Sequence, residues 1–184
     1  MSEYSLFPRV PVMLALTLGF LAACTVEEPG NSVTVSPQPS GVESTGTGQS
    51  PRTLFNEVKA CEVLDGAVAG EGFPPGKFSD IGSDNGCRVE KTGIALDMSL
   101  DDEQSIDDLQ VDPAKKFSGK VNGRRAFQVK DSVGDGGTCE VAVDMGAKAR
   151  FIITVALGSN RPTDEACAEA TKVAQAVEPE LPKG

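Results

Sequence analysis

Hydrophobic and polar positions divide the chain into three stretches. Residues 10–23 are almost all apolar, residues 25–52 are rich in Ser, Thr, Gly and Pro and keep no helical or strand period, and regular alternation begins near residue 53. The pattern predicts a signal peptide over residues 1–23, a disordered tether over 24–52, a globular domain over 53–178 and a flexible tail over 179–184.

Two segments of the domain repeat their apolar positions at helical spacing. In the first these positions are Leu54, Phe55, Val58, Cys61 and Leu64, and Gly66 is the predicted stop. In the second, Ala166, Ala170, Val173 and Val177 share one stripe. We expect Thr163 to cap this second helix, Asp164 and Glu165 to lie in its first turn, and Pro179 to end it.

Between the helices the period changes from helical to alternating. Six segments are predicted as half-buried strands: residues 87–91, 94–100, 115–121, 124–130, 139–145 and 150–157. Asn122 and Gly123 separate two of them, which is the strongest short signal for a hairpin. Short connections favour antiparallel neighbours. The predicted fold class is therefore α+β, an antiparallel sheet of about six strands with an N-terminal and a C-terminal helix packed on one face.

The apolar stretch ends abruptly at Cys24 and is followed by polar and acidic residues. Fourteen apolar positions are too few to span a bilayer, which takes about 20, but they suit the core of a secretory signal. The residues Leu21-Ala22-Ala23-Cys24 resemble the bacterial lipobox, in which the cysteine thiol receives a diacylglyceryl group. We therefore predict lipidation at Cys24, with the domain held on the outer face of the cell membrane. The alternative is an ordinary secretory signal in which Cys24 is incidental.

The other cysteines are Cys61, Cys87, Cys139 and Cys167, and no two form a Cys-x-x-Cys pair. Because the chain has no histidine, a zinc site would need cysteine ligands alone, and the paired cysteine spacing of such sites is missing. We therefore predict neither a metal nor a cofactor. Four cysteines in an exported protein favour two disulfides, against the alternative of four reduced thiols. Three connectivities are open. We favour the pairs closest in sequence, 61 with 87 and 139 with 167, each contributing about 3 kcal/mol.

Composition narrows the function classes. A formal net charge of −10 gives no electrostatic reason to bind nucleic acid. Without histidine, the hydrolase arrangements that need an imidazole base are excluded. An enzyme built on two carboxylates alone stays open, because acids are in excess. No catalytic residue is predicted.

Two charged segments are candidates for binding. Residues 99–112 are rich in acids, but the spacing does not fit a calcium loop, because Ile106 falls where an EF-hand needs glycine. A solvated loop or short helix is the preferred interpretation. Six cations without an intervening acid form the second segment, here called the basic strip: Lys115, Lys116, Lys120, Arg124, Arg125 and Lys130. The strip is a candidate contact for an anionic surface, and the simpler alternative is a hairpin whose charged side chains discourage edge pairing.

Several short motifs occur in an order that carries a family resemblance. Besides the lipobox and spacer, they are "ACEVL" at residues 60–64, "GCRV" at 86–89, "VNGRRA" at 121–126 and "DEAC" at 164–167. The chain resembles the actinobacterial lipoproteins with domain of unknown function 3558, although Val89 stands where members commonly have tryptophan. The resemblance implies a helix-sheet-helix plan similar to PsbP and Mog1. It implies no established activity and no catalytic residues.

Two function hypotheses follow. The preferred one is a noncatalytic binding or scaffolding lipoprotein of the cell envelope, whose partner is an unknown envelope protein or a small apolar ligand. The alternative is a cell-envelope hydrolase that uses paired carboxylates. An enzyme needs convergent acids with perturbed ionisation in a cleft, for example Asp97 and Asp144 facing each other, whereas a binding module needs an apolar groove or patch.

Overall fold

A computed structural model describes residues 54–134, 136–146, 148–158 and 160–184. The predictions for the signal peptide, Cys24 and the tether lie outside these residues. The helices are α1, Ala60–Ala67, and α2, Thr163–Val177. The strands are β1, Lys77–Phe78; β2, Asn85–Lys91; β3, Ile94–Asp101; β4, Lys116–Val121; β5, Arg124–Lys130; β6, Thr138–Gly146; and β7, Ala149–Ala156. Short 3-10 helices cover Ile106–Asp108, Pro113–Lys115 and Glu178–Glu180.

All seven strands form one antiparallel sheet in the order β1-β2-β3-β7-β6-β5-β4. The α+β class is confirmed, and the predicted count of about six strands is one too low. The extra strand is β1, whose two residues pair with Arg88 and Cys87 and are both exposed. Two exposed residues show no alternation, so the sequence carries no signal for them.

One face of the sheet packs against both helices. Cross-strand pairs on this face are Cys139 with Val155, Val141 with Ile153 and Val143 with Phe151, and all of these side chains are buried. They join the alanines and valines of the α2 stripe in the main core. The residues predicted to face the core are therefore buried as expected. The prediction of half-buried strands is wrong for the centre of the sheet, because most residues between them on β3, β6 and β7 are buried as well. No helix among the described residues is long and apolar enough to cross a membrane.

The first helix begins later than the sequence pattern indicates. Residues 54–57 form a turn and Lys59 is extended, so α1 starts at Ala60 and continues through Gly66. Side chains from distant strands hold the turn in place. Asp102 accepts from the Phe55 N–H at 3.0 Å, and the Asn85 side chain bonds to both Val58 and Ala60. These long-range bonds override the local helical pattern.

The last helix also differs at its ends. Pro162 occupies the N-cap position and Thr163 is the first helical residue, because the Thr163 hydroxyl bonds instead to Gly137 and Asp131. After Val177 the chain continues into the 3-10 helix that contains Pro179. Leu181, within the segment predicted as a flexible tail, is buried in the main core. The packed part of the domain thus extends past residue 178.

Both favoured disulfides are confirmed. Cys61 of α1 is bonded to Cys87 of β2, and Cys139 of β6 is bonded to Cys167 of α2. Each bond therefore joins one helix to one strand of the sheet. Because the paired residues are 26 and 28 positions apart, each bond closes a loop of moderate length in the unfolded chain.

The connection from β3 to β4 covers part of the other face of the sheet. This crossing segment, residues 102–115, must pass three strands, because β7, β6 and β5 lie between β3 and β4. Ile106 is fully buried against Ala142 and Ile152, with Leu109 and Phe127 packed around them. This second, smaller core lies on the face opposite the helices.

A buried arginine binds the start of the crossing segment. Arg150 on β7 donates to the Ser105 carbonyl at 3.2 Å and to Gln104 Oε1 at 2.8 Å. Its Nη2 lies 3.1 Å from Asp101 Oδ2, an ion pair whose angles fall outside hydrogen-bond geometry. Both side chains are 7% exposed, so each charge depends on the other to offset its desolvation.

We expect removal of the disulfide between β6 and α2 to lower the free energy of unfolding by about 3 kcal/mol, because the unfolded chain regains the freedom of the open loop. The test is urea unfolding of the Cys139→Ala/Cys167→Ala double variant. The oxidised protein is the reference, and a loss below about 0.5 kcal/mol would contradict the prediction.

We expect Arg150→Met to destabilise the domain by about 3 kcal/mol or more, because it leaves Asp101 as a buried charge without its partner. The double variant Arg150→Met/Asp101→Asn should recover at least half of that loss, because neither charge remains. Urea unfolding measures both variants. A double variant no more stable than the single one would show that the ion pair is not the cause.

Candidate functional site

Five of the six cations of the basic strip lie on the hairpin formed by β4 and β5, and Lys115, predicted to begin the strand, ends the 3-10 helix before it. Asn122 and Gly123 form its turn with φ of 48° and 92°. Two positive φ angles are typical of a tight type I′ turn, which Asn-Gly adopts readily. The strands pair from Lys116 with Val129 to Val121 with Arg124. The predicted hairpin is therefore formed, and its cations lie on both faces of the sheet.

Three cations of the strip have acidic partners from other parts of the fold. On the helix face, Arg124 Nε is 2.7 Å from Glu178, and Lys130 Nζ is 2.6 Å from Asp164 in the first turn of α2. On the opposite face, Arg125 makes two bonds to Asp107 of the crossing segment, at 2.9 and 2.7 Å. The Arg125 guanidinium also lowers the pKa of the Asp107 carboxyl, chiefly through these bonds.

The lysines of the strip are arranged differently near β4. Lys115 Nζ donates to the Asp131 carbonyl at 2.9 Å, and Lys116 Nζ lies 4.0 Å from the centre of the Phe127 ring. Lys120 is exposed. Within the described residues none of these three has a carboxylate within ion-pair distance. The fold therefore pairs half of the strip with acids and leaves three lysines, at the start and along the length of β4, without such a pair among the described residues.

The strand that carries Lys116 and Lys120 is an edge of the sheet. Among the described residues, β4 has β5 as its neighbour on one side and no strand on the other. Its residues from Phe117 to Lys120 are all exposed, and the Phe117 side chain is 47% exposed. The edge is thus an accessible row of backbone groups beside the side chains of Phe117 and Lys120.

The acidic segment has structural bonds at most of its carboxylates. Asp101 pairs with Arg150, Asp102 accepts from Phe55, and Asp107 binds Arg125. Asp108 and Ser105 form a reciprocal cap of the 3-10 helix, and Asp112 caps the next one. No group of three or more metal-ligating side chains is present among the residues described. Of the solvated loop or short helix expected from sequence, the structure forms two short 3-10 helices joined by irregular chain.

A cavity of about 520 Å³ opens beside the acidic segment. It is lined by residues 55–56, 82–85 and 100–104, including Asp84, Asp101, Asp102 and Glu103. Of these acids, Asp101 and Asp102 are held by the bonds just described. The cavity therefore contains carboxylates, and two of the four are committed to structural contacts.

The pair named as the test of a hydrolase does not converge. Asp97 on β3 accepts from Ser79 at 3.3 Å and from Arg88 at 2.5 Å, and Asp144 on β6 is 3.2 Å from Arg125. In the sheet register Asp97 is level with Glu140 of β6, because both are opposite Thr154. Asp144 lies four residues further along β6, so it is offset from Asp97 by about 13 Å in the strand direction. Neither aspartate lines the cavity of the acidic segment.

Glu140 is a notable group that the sequence pattern did not single out. It occupies a polar position of the β6 alternation, which predicts exposure to solvent. Its Oε1 is instead buried without a hydrogen-bond partner, and burial raises the pKa of its carboxyl while Arg150 opposes the shift. Asp97, level with it two strands away, also has a pKa raised by burial. The burial of this oxygen depends on tertiary packing, which leaves no local sequence signal at Glu140.

The fold and the site define a disulfide-bonded α+β domain with a basic edge strand. Residues 19–180 match the family model described as "Protein of unknown function (DUF3558)", so the chain belongs to that family. Searches of curated proteins and of solved structures found no match. The similarity to PsbP and Mog1 stays a prediction.

We expect Glu140→Gln to stabilise the domain near neutral pH by about 1 kcal/mol or more, because it removes a buried charge with an unpartnered oxygen. The folded-state pKa is raised, so between the unfolded and folded pKa values the native state binds more protons, and stability falls as pH rises through this window. Urea unfolding at about pH 7.5 should show the gain, and at about pH 3.5, below the usual glutamate pKa, the gain should disappear.

The matched control is Glu57→Gln, which removes an exposed acid from the same strongly negative chain. It should change the free energy of unfolding by less than about 0.5 kcal/mol. Equal stabilisation in both variants would assign the effect to net charge and not to Glu140.

Proposed function

We propose that the chain is a lipid-anchored module of the cell envelope with a noncatalytic binding or scaffolding role on the outer face of the cell membrane. The observation that carries the proposal is the combination of two disulfides in the domain with the abrupt apolar-to-polar change at Cys24. Disulfides persist in oxidising compartments, and the change at Cys24 is typical of a lipoprotein signal. Both features point to export.

The anchor follows from the energetics of acyl chains. Each buried methylene contributes about 0.8 kcal/mol, and stable attachment takes more than one chain, which a diacylglyceryl cysteine supplies. Residues 25–52 then act as a spacer whose ends lie on the order of 30 Å apart. An actinobacterial source and a PsbP-like or Mog1-like plan are part of the same proposal and rest on the order of the short motifs.

A binding role is favoured over the carboxylate hydrolase by where the charges lie. The described carboxylates with raised pKa, Asp97 and Glu140, do not line the cavity that holds the acidic cluster. An active site brings a cleft and acids with shifted pKa values together. Here the cavity and the two carboxyls with raised pKa values are in different places. The exposed edge of β4 is the kind of surface that a binding module presents. The partner is an envelope protein or a small apolar ligand.

The proposal predicts that Cys24→Ser abolishes lipid attachment and moves the protein from the membrane fraction to the soluble fraction, because no acyl chain holds it. The measurement is metabolic labelling with an alkyne fatty acid followed by fractionation, with the intact mass giving the expected lipid increment at Cys24. The Cys61→Ala/Cys87→Ala variant is the control and should keep its label. An unlabelled wild-type protein with a free thiol at Cys24 would refute the anchor.

A further inference from the structure

The edge of β4 offers a row of backbone groups with no strand beside it. In an antiparallel pair, alternate residues direct their N–H and C=O groups toward the neighbour, so the other residues of β4 direct theirs away from β5. Among the described residues, one backbone bond outside the β4–β5 pairing involves residues 116–121, because the Lys116 N–H donates to the Pro113 carbonyl. The backbone from Phe117 to Lys120 makes no such bond within the described residues. The strand has six residues and no proline. Such an edge is a template for another extended chain.

The charges on this edge indicate what kind of chain can pair there. Lys116, Ser118 and Lys120 share the face opposite the helices, since side chains alternate along a strand. Neither lysine has a carboxylate partner among the described residues, although the chain as a whole carries a net charge of −10. An incoming strand with acids opposite these lysines gains two cross-strand ion pairs.

A second copy of this chain is a poor occupant for the same reason. Antiparallel pairing of two β4 strands about a two-fold axis keeps the faces aligned, so it would bring both lysines of each copy onto one face of the joined sheet. Like charges placed together across strands are destabilising, and edge lysines are a common device against self-pairing. The negative charge of the two whole chains adds repulsion.

We propose that β4 binds an extended acidic peptide segment of another protein as an added antiparallel strand. The incoming strand presents an acid opposite Lys120 and a second acid opposite Lys116. It presents an apolar residue opposite Phe117, and the two positions opposite Gly119 and Ser118 are unrestricted. The apolar position faces Phe117, whose ring is 47% exposed on the helix face. The recognised pattern is therefore acid-x-x-apolar-acid. The proposal deepens the binding role above by naming its surface and its class of partner.

The test is fluorescence anisotropy of a labelled peptide with the sequence TETTVETV, titrated with the purified full-length protein in detergent. We expect saturable binding. Lys120→Glu should weaken it roughly three- to tenfold, because a favourable cross-strand pair becomes a repulsive one. Lys148→Glu is the matched control, since Lys148 is also exposed and lies off the edge, and it should leave the affinity within twofold.

A second peptide separates strand pairing from simple charge attraction. Two versions of the same sequence carry N-methyl groups on its odd-numbered or its even-numbered residues, and both keep the two glutamates. Only alternate residues donate their N–H groups to a neighbouring strand, so one of the two versions should bind at least tenfold more weakly than the parent peptide. Equal binding of parent and both methylated peptides would overturn the proposal, as would equal effects of Lys120→Glu and Lys148→Glu. Circular dichroism confirms that each variant is folded.

Lipid headgroups are the competing occupant of the lysines. If no peptide binds but the protein sediments with phosphatidylglycerol vesicles and not with phosphatidylcholine vesicles, and Lys120→Glu abolishes this, the lysines contact lipid and the proposal is wrong. Failure of peptide binding leaves the anchor at Cys24 intact, because fatty-acid labelling tests that separately. The two proposals therefore fail in distinguishable ways.

Discussion

The structure depends on one connection, the passage of the chain from β3 at the middle of the sheet to β4 at its far edge. Three strands lie between these two, so residues 102–115 must cross a face of the sheet. The helices occupy the other face. The crossing segment therefore lies over Ala142 and Ile152 and is held by buried Ile106 and by Arg150. Without that crossing, the basic hairpin could not form the end of the sheet.

The crossing also decides how charge is distributed. It brings Asp107 to Arg125, while α2 and the turn that follows it bring Asp164 to Lys130 and Glu178 to Arg124. These pairs are mostly exposed and each contributes little to stability. Their effect is selective. They pair with Arg124, Arg125 and Lys130, whereas Lys116 and Lys120 of β4 have no carboxylate within ion-pair distance among the described residues.

The second face of the sheet is covered without helices, and some polar atoms there are buried without hydrogen-bond partners. A loop cannot cover a sheet as evenly as a helix, because its own backbone needs hydrogen-bond partners. Glu140 Oε1 and Arg150 Nε are buried without partners on this face, and the pKa values of Asp97 and Glu140 are raised there by burial. The raised pKa values of these two carboxyls thus follow chiefly from burial.

The sequence by itself determined the elements that depend on neighbours along the chain: the core-facing positions of six strands, the Asn122–Gly123 hairpin and the stripe of α2. It favoured the disulfide pairing that the structure has, but left three connectivities open. It also predicted which cations share one hairpin. It could not give the start of α1, which Asp102 and Asn85 fix from other elements, or the strand β1, which is too short to show a period. Nor could it separate paired from unpaired cations or show that the Glu140 Oε1 atom is buried. Those features arise from contacts between residues far apart in sequence, which leave no local period from which to predict them.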